Sequence, residues 1–222
     1  MPMPTAIEAL ERLRAGNARF VAGATTGAAK AGDDAMRRAA LVAGQEPFAI
    51  ILGCSDSRVP AELVFDQGFG DLFVIRVAGN VVAPSQVGSV EFAASRYGTP
   101  LVVVLGHSQC GAILATIESL QGLADQPSLN LRSIVDRVRP SVEPLMALAR
   151  GLEPQRLVAE AVRANVRAST SHLRHGSALL EELIDAGRLL VVGAEYSLET
   201  GAVDFFDGVP DAPRRRQPSS SR

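Results

Sequence analysis

FAIILGCSDSR (residues 48–58) and LVVVLGHSQC (residues 101–110) share one construction. Each begins as a short, unbroken apolar run rich in branched side chains. Each then meets a glycine and runs at once into side chains that can bind a metal. Apolar runs without alternation read as strands covered on both faces. LFVIRV (residues 72–77) and LLVVGA (residues 189–194) have the same character. Between the second and third runs, QVGSVEFAASRYG (residues 86–98) has helical spacing, with Ser85 as a cap and Gly98 as a stop. Strand, helix, strand in that order predicts an α/β fold: a small, mainly parallel four-stranded sheet flanked by helices. Residues 196–203 are expected to add a short strand at the sheet edge.

Working outward, residues 5–21 read as an amphipathic helix, with Ile7, Leu10, Leu13, Phe20 and Val21 on one stripe. Residues 22–36 read as a flexible link that lets this helix pack elsewhere. This gives an N-terminal helical arm with its linker over 1–36, a main metal-binding domain over 37–209 and a disordered tail over 210–222. A helix is expected over 111–123. The stretch 129–186 reads as helical, interrupted at Pro140, Pro144, Pro154 and Gly176. Arg214, Arg215 and Arg216 in the tail could bind phosphate, although a solvated tail explains them as well.

The chain has 222 residues, of which 47% are hydrophobic, enough for one full core. Its formal charge is -2, which is no nucleic-acid signature. No apolar run approaches the roughly 20 residues of a membrane span. The start lacks the basic-then-apolar pattern of a secretory signal. A soluble, cytoplasmic protein is expected.

The chain has only two cysteines, and both lie in the opening motifs. Cys54, His107 and Cys110 offer two sulfurs and an imidazole nitrogen, a donor set suited to catalytic Zn2+. A disulfide or two inert core thiols is the alternative, but Cys110 falls three residues after His107, which suits a shared metal. Both half-sites follow strands, so a parallel sheet brings them to its carboxyl edge. Three protein ligands leave a fourth position for water. With two thiolates, that water is expected to be less acidic than in an all-histidine site, so activity leans alkaline. Asp56 could take the fourth position and close the site. It could instead be held bidentately by Arg58 and accept a hydrogen bond from hydroxide. Gly111 reads as exposing backbone donors, and Gln45 as an amide donor. Phe73 and Phe92 read as core on pattern alone. Ser108 and Gln109 could serve only the turn. His172 and His175 have metal-pair spacing but no partner ligands, so capping or exposure explains them.

These residues resemble the beta-class carbonic anhydrases. The likeness is carried by CSDSRVPAE (residues 54–62), RVAGN (76–80), GSVEFA (88–93) and GHSQCGA (106–112). ALERLRAGNARF (9–20) and VVGAEYSLETGAV (191–203) extend it over residues 5–207. The resemblance implies reversible hydration of carbon dioxide to bicarbonate and a proton, by zinc-bound hydroxide that an Asp56–Arg58 dyad orients. It implies that Gln45 is the active-site glutamine and Phe73 an apolar wall, with Phe92 where many members carry tyrosine. It implies a homodimer or homotetramer with the active site at the dimer interface and the first helix embracing the neighbour. Ile51 stands where some members place the tryptophan of an inhibitory bicarbonate pocket, although Arg76 matches its arginine. Relatives that hydrolyse carbon disulfide or carbonyl sulfide give an alternative activity on the same metal, and a non-catalytic zinc protein is a third reading.

Overall fold

The computed structural model describes residues 2–26, 33–123, 128–148, 151 and 153–210. Five strands form one sheet: β1 (Ala49–Gly53), β2 (Leu72–Arg76), β3 (Leu101–His107), β4 (Leu190–Tyr196) and β5 (Val203–Asp207), in spatial order β2-β1-β3-β4-β5. The first four run parallel, as the apolar runs imply. The edge strand starts where the sequence reading ends it: residues 197–202 turn the chain, and β5 returns antiparallel to β4 across a register shift at Gly193/Ala194. The sheet is therefore mixed and five-stranded rather than four-stranded. Because β2 and β3 lie on opposite sides of β1, the order of strand addition reverses between β1 and β3, which opens a crevice at their carboxyl ends.

Alternate residues of the buried strands feed two cores. Ala49, Ile51, Leu101, Val103, Leu105 and Val192 face α1 (Ala6–Val21) and α3 (Ala61–Val64). Ile50, Leu52, Val102, Val104 and Val191 face α4 (Pro84–Tyr97), α7 (Pro154–His175) and α8 (Ala178–Asp185). A third apolar group joins α5 (Gly111–Leu120), α6 (Leu129–Leu148) and α7 around Cys54 and Cys110. Truncating a Leu in such a core typically costs about 2–5 kcal/mol.

The helices differ from expectation in instructive places. Helix α1 begins on a capping box: Thr5 Oγ1 accepts from Glu8 N at 3.3 Å, and Thr5 N donates to Glu8 Oε2 at 2.8 Å. It is docked on its own chain. Asn17 Nδ2 donates to Val64 O and Gly201 O, and its Oδ1 accepts from Val203 N. Helix α2 (Asp33–Leu41) occupies the end of the stretch read as a link, and residue 36 falls inside it; residues 27–32 lie outside the described residues, as do 211–222 with their arginine cluster. Helix α4 starts on Pro84 with Ala83 as its cap rather than Ser85, and it stops at Gly98 in the left-handed region. Pro140 and Pro144 do not interrupt α6. A proline's φ is already helical, and packing of Val135, Val138 and Val142 offsets the lost N–H groups. Pro154 opens α7 and Gly176 ends it, so these two are boundaries.

Gly106 lets α7 approach β3: a Cβ there would sit 2.5 Å from Val166 Cγ2. Gly106→Ala is expected to destabilise the chain by about 1–3 kcal/mol in chemical denaturation, the usual cost of overpacking. Because His107 is the next residue, the variant should also retain less metal when both are measured on the same sample.

Candidate metal centre

Register places the three donors together. Gly53 pairs with Leu105, so Cys54 leaves β1 beside the last turn of backbone in β3, where His107 ends the strand. Cys110 follows after a tight turn in which Gln109 has φ 55°, and it caps the N-terminus of α5. The ligand atoms of Cys54, His107 and Cys110 all lie within 4.8 Å of one another, and all three residues are buried. Neither His172 nor His175 joins them.

The imidazole is oriented for coordination. His107 Nδ1 lies 2.9 Å from Ser108 O; a carbonyl only accepts, so Nδ1 carries the proton. Nε2 then presents its lone pair to the two sulfurs, and it is buried with no hydrogen-bond partner. A buried, unpartnered nitrogen is costly unless something binds it. Both cysteines are free thiols in this geometry.

Their proton affinities are split. Hydrogen bonding from Cys110 pulls the Cys54 pKa down to about 4 against the opposing effect of burial, helped by His107 and by the N–H groups of Asp56 and Gly79. The shared proton and burial push Cys110 up, while the N–H groups of Ile113 and Ala112 pull the other way. Burial disfavours protonating His107, yet the adjacent Cys54 sulfur outweighs it and raises its pKa. Three buried donors compete for protons that one divalent cation would replace. Donors in a tetrahedral zinc site lie about 3.5–4 Å apart, so the residues present fit zinc with a small contraction.

Around this cluster stands a polar frame. Arg58 grips Asp56 in a bidentate fork, Nε to Oδ1 at 2.9 Å and Nη2 to Oδ2 at 2.7 Å, and Arg58 N adds a third bond to Oδ1. This fork holds the Asp56 carboxyl well below the usual carboxylate range despite partial burial. Asp56 Oδ2 is 3.9 Å from His107 Nε2. Arg76 fastens the ligand loop, donating from Nε to Cys54 O at 3.0 Å and from Nη2 to Asp56 O at 2.6 Å. In this chain it thus serves the loop carbonyls, a role that its place in the RVAGN motif could have suggested. Gly111 opens α5, and a Cβ there would meet nothing within 4 Å.

Gln45, Phe73 and Phe92 lie elsewhere in the same chain. Phe73 pairs with Ile50, four residues before Cys54 along β1, or roughly 13 Å at 3.3 Å per residue. It forms an aromatic triad with Phe92 (6.3 Å between ring centroids) and Tyr97 (6.2 Å). Gln45 Nε2 donates to Tyr97 Oη at 3.0 Å. The sequence reading did not single out Tyr97. A glutamine, two phenylalanines and a tyrosine thus form one patch away from the chain's own metal cluster, and Phe92 is 52% exposed.

Fold and cluster together define an α/β protein with a three-ligand metal centre at the sheet's switch point. Comparison with known proteins narrows the class. The family model for carbonic anhydrase matches residues 49–203. Carbonic anhydrase 2 of Mycobacterium tuberculosis is 40% identical over 209 residues, covering 94% of this chain and 97% of that protein. A carbonic anhydrase of Mycolicibacterium smegmatis is 40% identical over 211 residues, covering 95% and 98%. Among solved structures, one of the two tetrameric beta-carbonic anhydrases of Sordaria macrospora superposes with a TM-score of 0.70 at 23% identity, covering 79% of this chain and 88% of that one. This chain belongs to the beta-carbonic anhydrase family.

Purified protein is expected to carry about one zinc per chain by elemental analysis, as the single three-donor cluster among the described residues implies. His107→Ala and Cys110→Ser should each abolish stoichiometric zinc. Full zinc retention in both variants would show that the metal sits elsewhere.

Proposed function

We propose that this protein interconverts carbon dioxide and water with bicarbonate and a proton, with zinc held by Cys54, His107 and Cys110. The observation that carries the reading is the unpartnered Nε2 of His107, facing two sulfurs and flanked by an arginine-held carboxylate. Zinc, when bound, supplies the Lewis acidity that makes a hydroxide nucleophile available near neutral pH. The chain's own groups do the rest. Asp56, kept anionic by Arg58, accepts the hydrogen bond that fixes the nucleophile's proton and aims a lone pair at the substrate carbon. With Asp56 held in the fork, its carboxylate stays off the metal. We assign the backbone N–H of Gly111, where α5 begins, to a substrate oxygen. Bicarbonate departs, and the proton released in each cycle passes to buffer, since the only other histidines lie at the far end of α7.

The Gln45–Phe73–Phe92 patch gives the active assembly its form. We assign it to the substrate pocket of a second copy in a homodimer or larger homo-oligomer. Support comes from its distance from the chain's own cluster and its open position beside the edge strand β2. Neighbouring apolar groups point the same way, with Val42 88% and Phe69 51% exposed. No helix among the described residues is long and apolar enough to cross a membrane. We place the protein in the cytoplasm, where two reduced cysteines are kept available for metal.

Stopped-flow hydration of carbon dioxide from about pH 6.5 to 9, on protein of measured zinc content, tests the reading. Zinc-dependent turnover that rises toward alkaline pH is the expected result. Zinc-loaded protein without turnover throughout would overturn it. Arg58→Ala should retain zinc and lose about 10–100-fold in kcat/KM, because the carboxylate is no longer held off the metal. Sedimentation should show a species of at least twice the 23.3 kDa chain, and a monomer with full activity would refute the two-copy pocket.

A further inference from the structure

The sulfur of Cys54 has a backbone partner that the zinc ligands do not supply. Gly79 N donates to Cys54 Sγ at 3.3 Å, and this bond is buried. Gly79 is the middle residue of a 3-10 turn, Ala78–Asn80, between β2 and α4. It holds the left-handed conformation, φ 69° and ψ 19°, and a Cβ there would press to 2.9 Å from Ala112 Cβ. The direction of its N–H therefore depends on how the turn is held.

One backbone bond closes the turn, Asn80 N to Val77 O at 3.1 Å. Asn80 has φ 44°, and its Nδ2 is buried without a hydrogen-bond partner. Two further bonds come from α7, more than eighty residues later in the chain. Asn165 Nδ2 donates to Gly79 O at 2.8 Å. One helical turn on, Ser169 Oγ donates to Asn80 O at 3.1 Å. Asn165 is 2% exposed and Ser169 5%, so neither bond is rinsed by water. Residues four apart lie on one helix face, so α7 grips two consecutive carbonyls of the turn. These bonds fix the two peptide planes that follow Gly79; its own N–H, one plane earlier, is joined to them only through the φ and ψ of a glycine, a freedom the clamp restricts.

We propose that Asn165 and Ser169 are positioning residues for the metal centre: by clamping the carbonyls of Gly79 and Asn80 they keep Gly79 N–H directed at Cys54 Sγ. This rests on the zinc reading above. A hydrogen bond to a thiolate withdraws electron density from sulfur and fixes where its lone pairs point. Such outer contacts tune metal affinity and ligand basicity by about 10–100-fold.

The test uses full-length protein loaded with cobalt(II) in place of zinc, where the sulfur-to-cobalt charge-transfer band reports electron density on the thiolates. Asn165→Ala and Ser169→Ala are compared with wild type. Thr170→Val is the control: it lies on the same helix, is fully buried, and its hydroxyl bonds Arg167 O and Asp207 Oδ2 rather than the turn. Asn165→Ala and Ser169→Ala are expected to move the band to longer wavelength and to weaken zinc about tenfold in chelator competition. Thr170→Val should lower the melting temperature with the band unmoved. Should Asn165→Ala fail to fold, Ser169→Ala, which removes one oxygen, decides alone. An unmoved band and unchanged zinc affinity in the clamp variants overturn the proposal, as does an equal shift in Thr170→Val. Wild-type protein that takes up no cobalt or zinc overturns the zinc reading itself, and this proposal with it.

Discussion

Parallel pairing of β1 with β3 is the constraint on which the rest of the molecule depends. The register Gly53 opposite Leu105 fixes where Cys54 and His107 emerge relative to each other. A one-residue slip would carry every core side chain of β1 to the opposite face and take Cys54 with it. Two cores that demand opposite faces of the same strands make that slip expensive. The position of the ligands is thus secured by apolar packing rather than by the ligands themselves. Helix α7 takes part twice. It rests on the bare backbone at Gly106, and from the same face it reaches the turn that touches Cys54.

Electrostatics at the site follow from where each group sits. The two sulfurs and the imidazole belong to a buried, largely apolar region, where every unneutralised charge is penalised. Asp56 stands at the rim, and Arg58 reaches it from the solvent side. The carboxylate therefore keeps its charge, while the proton distribution of the inner three is left for a cation to settle. Rim and interior thus differ in kind: three buried donors fit a cation, and a charged pair borders them.

Much of this was legible in the residues. Four unbroken apolar runs were strands, the glycines after two of them marked the ligand loops, and the Cys-His-Cys set announced a metal. What stayed illegible has physical causes. The edge strand VDFFD is short and half-buried, so neither alternation nor an apolar run marks it. Pro140 and Pro144 suggested breaks because local propensity cannot see α6 wedged between α5 and α7. Asn165 and Ser169 passed unnoticed because a polar residue on a helix reads as solvated until its neighbour across the fold is known. Gln45, Phe73 and Phe92 could be matched to a motif but not placed, since distance from the metal is a property of the sheet and not of the order of residues.

Cys54 and His107 are 53 positions apart in the chain. Between them lie a complete strand, two helices and the turn at Gly79. Loop-closure entropy grows only with the logarithm of length, so this separation costs about 1–2 kcal/mol more than the dozen residues between ligands in a small zinc module. What the separation changes is the source of the geometry. In such a module the metal draws its ligands together; here the ladder between β1 and β3 already sets them side by side, like a lock whose keyhole is cut by the door frame.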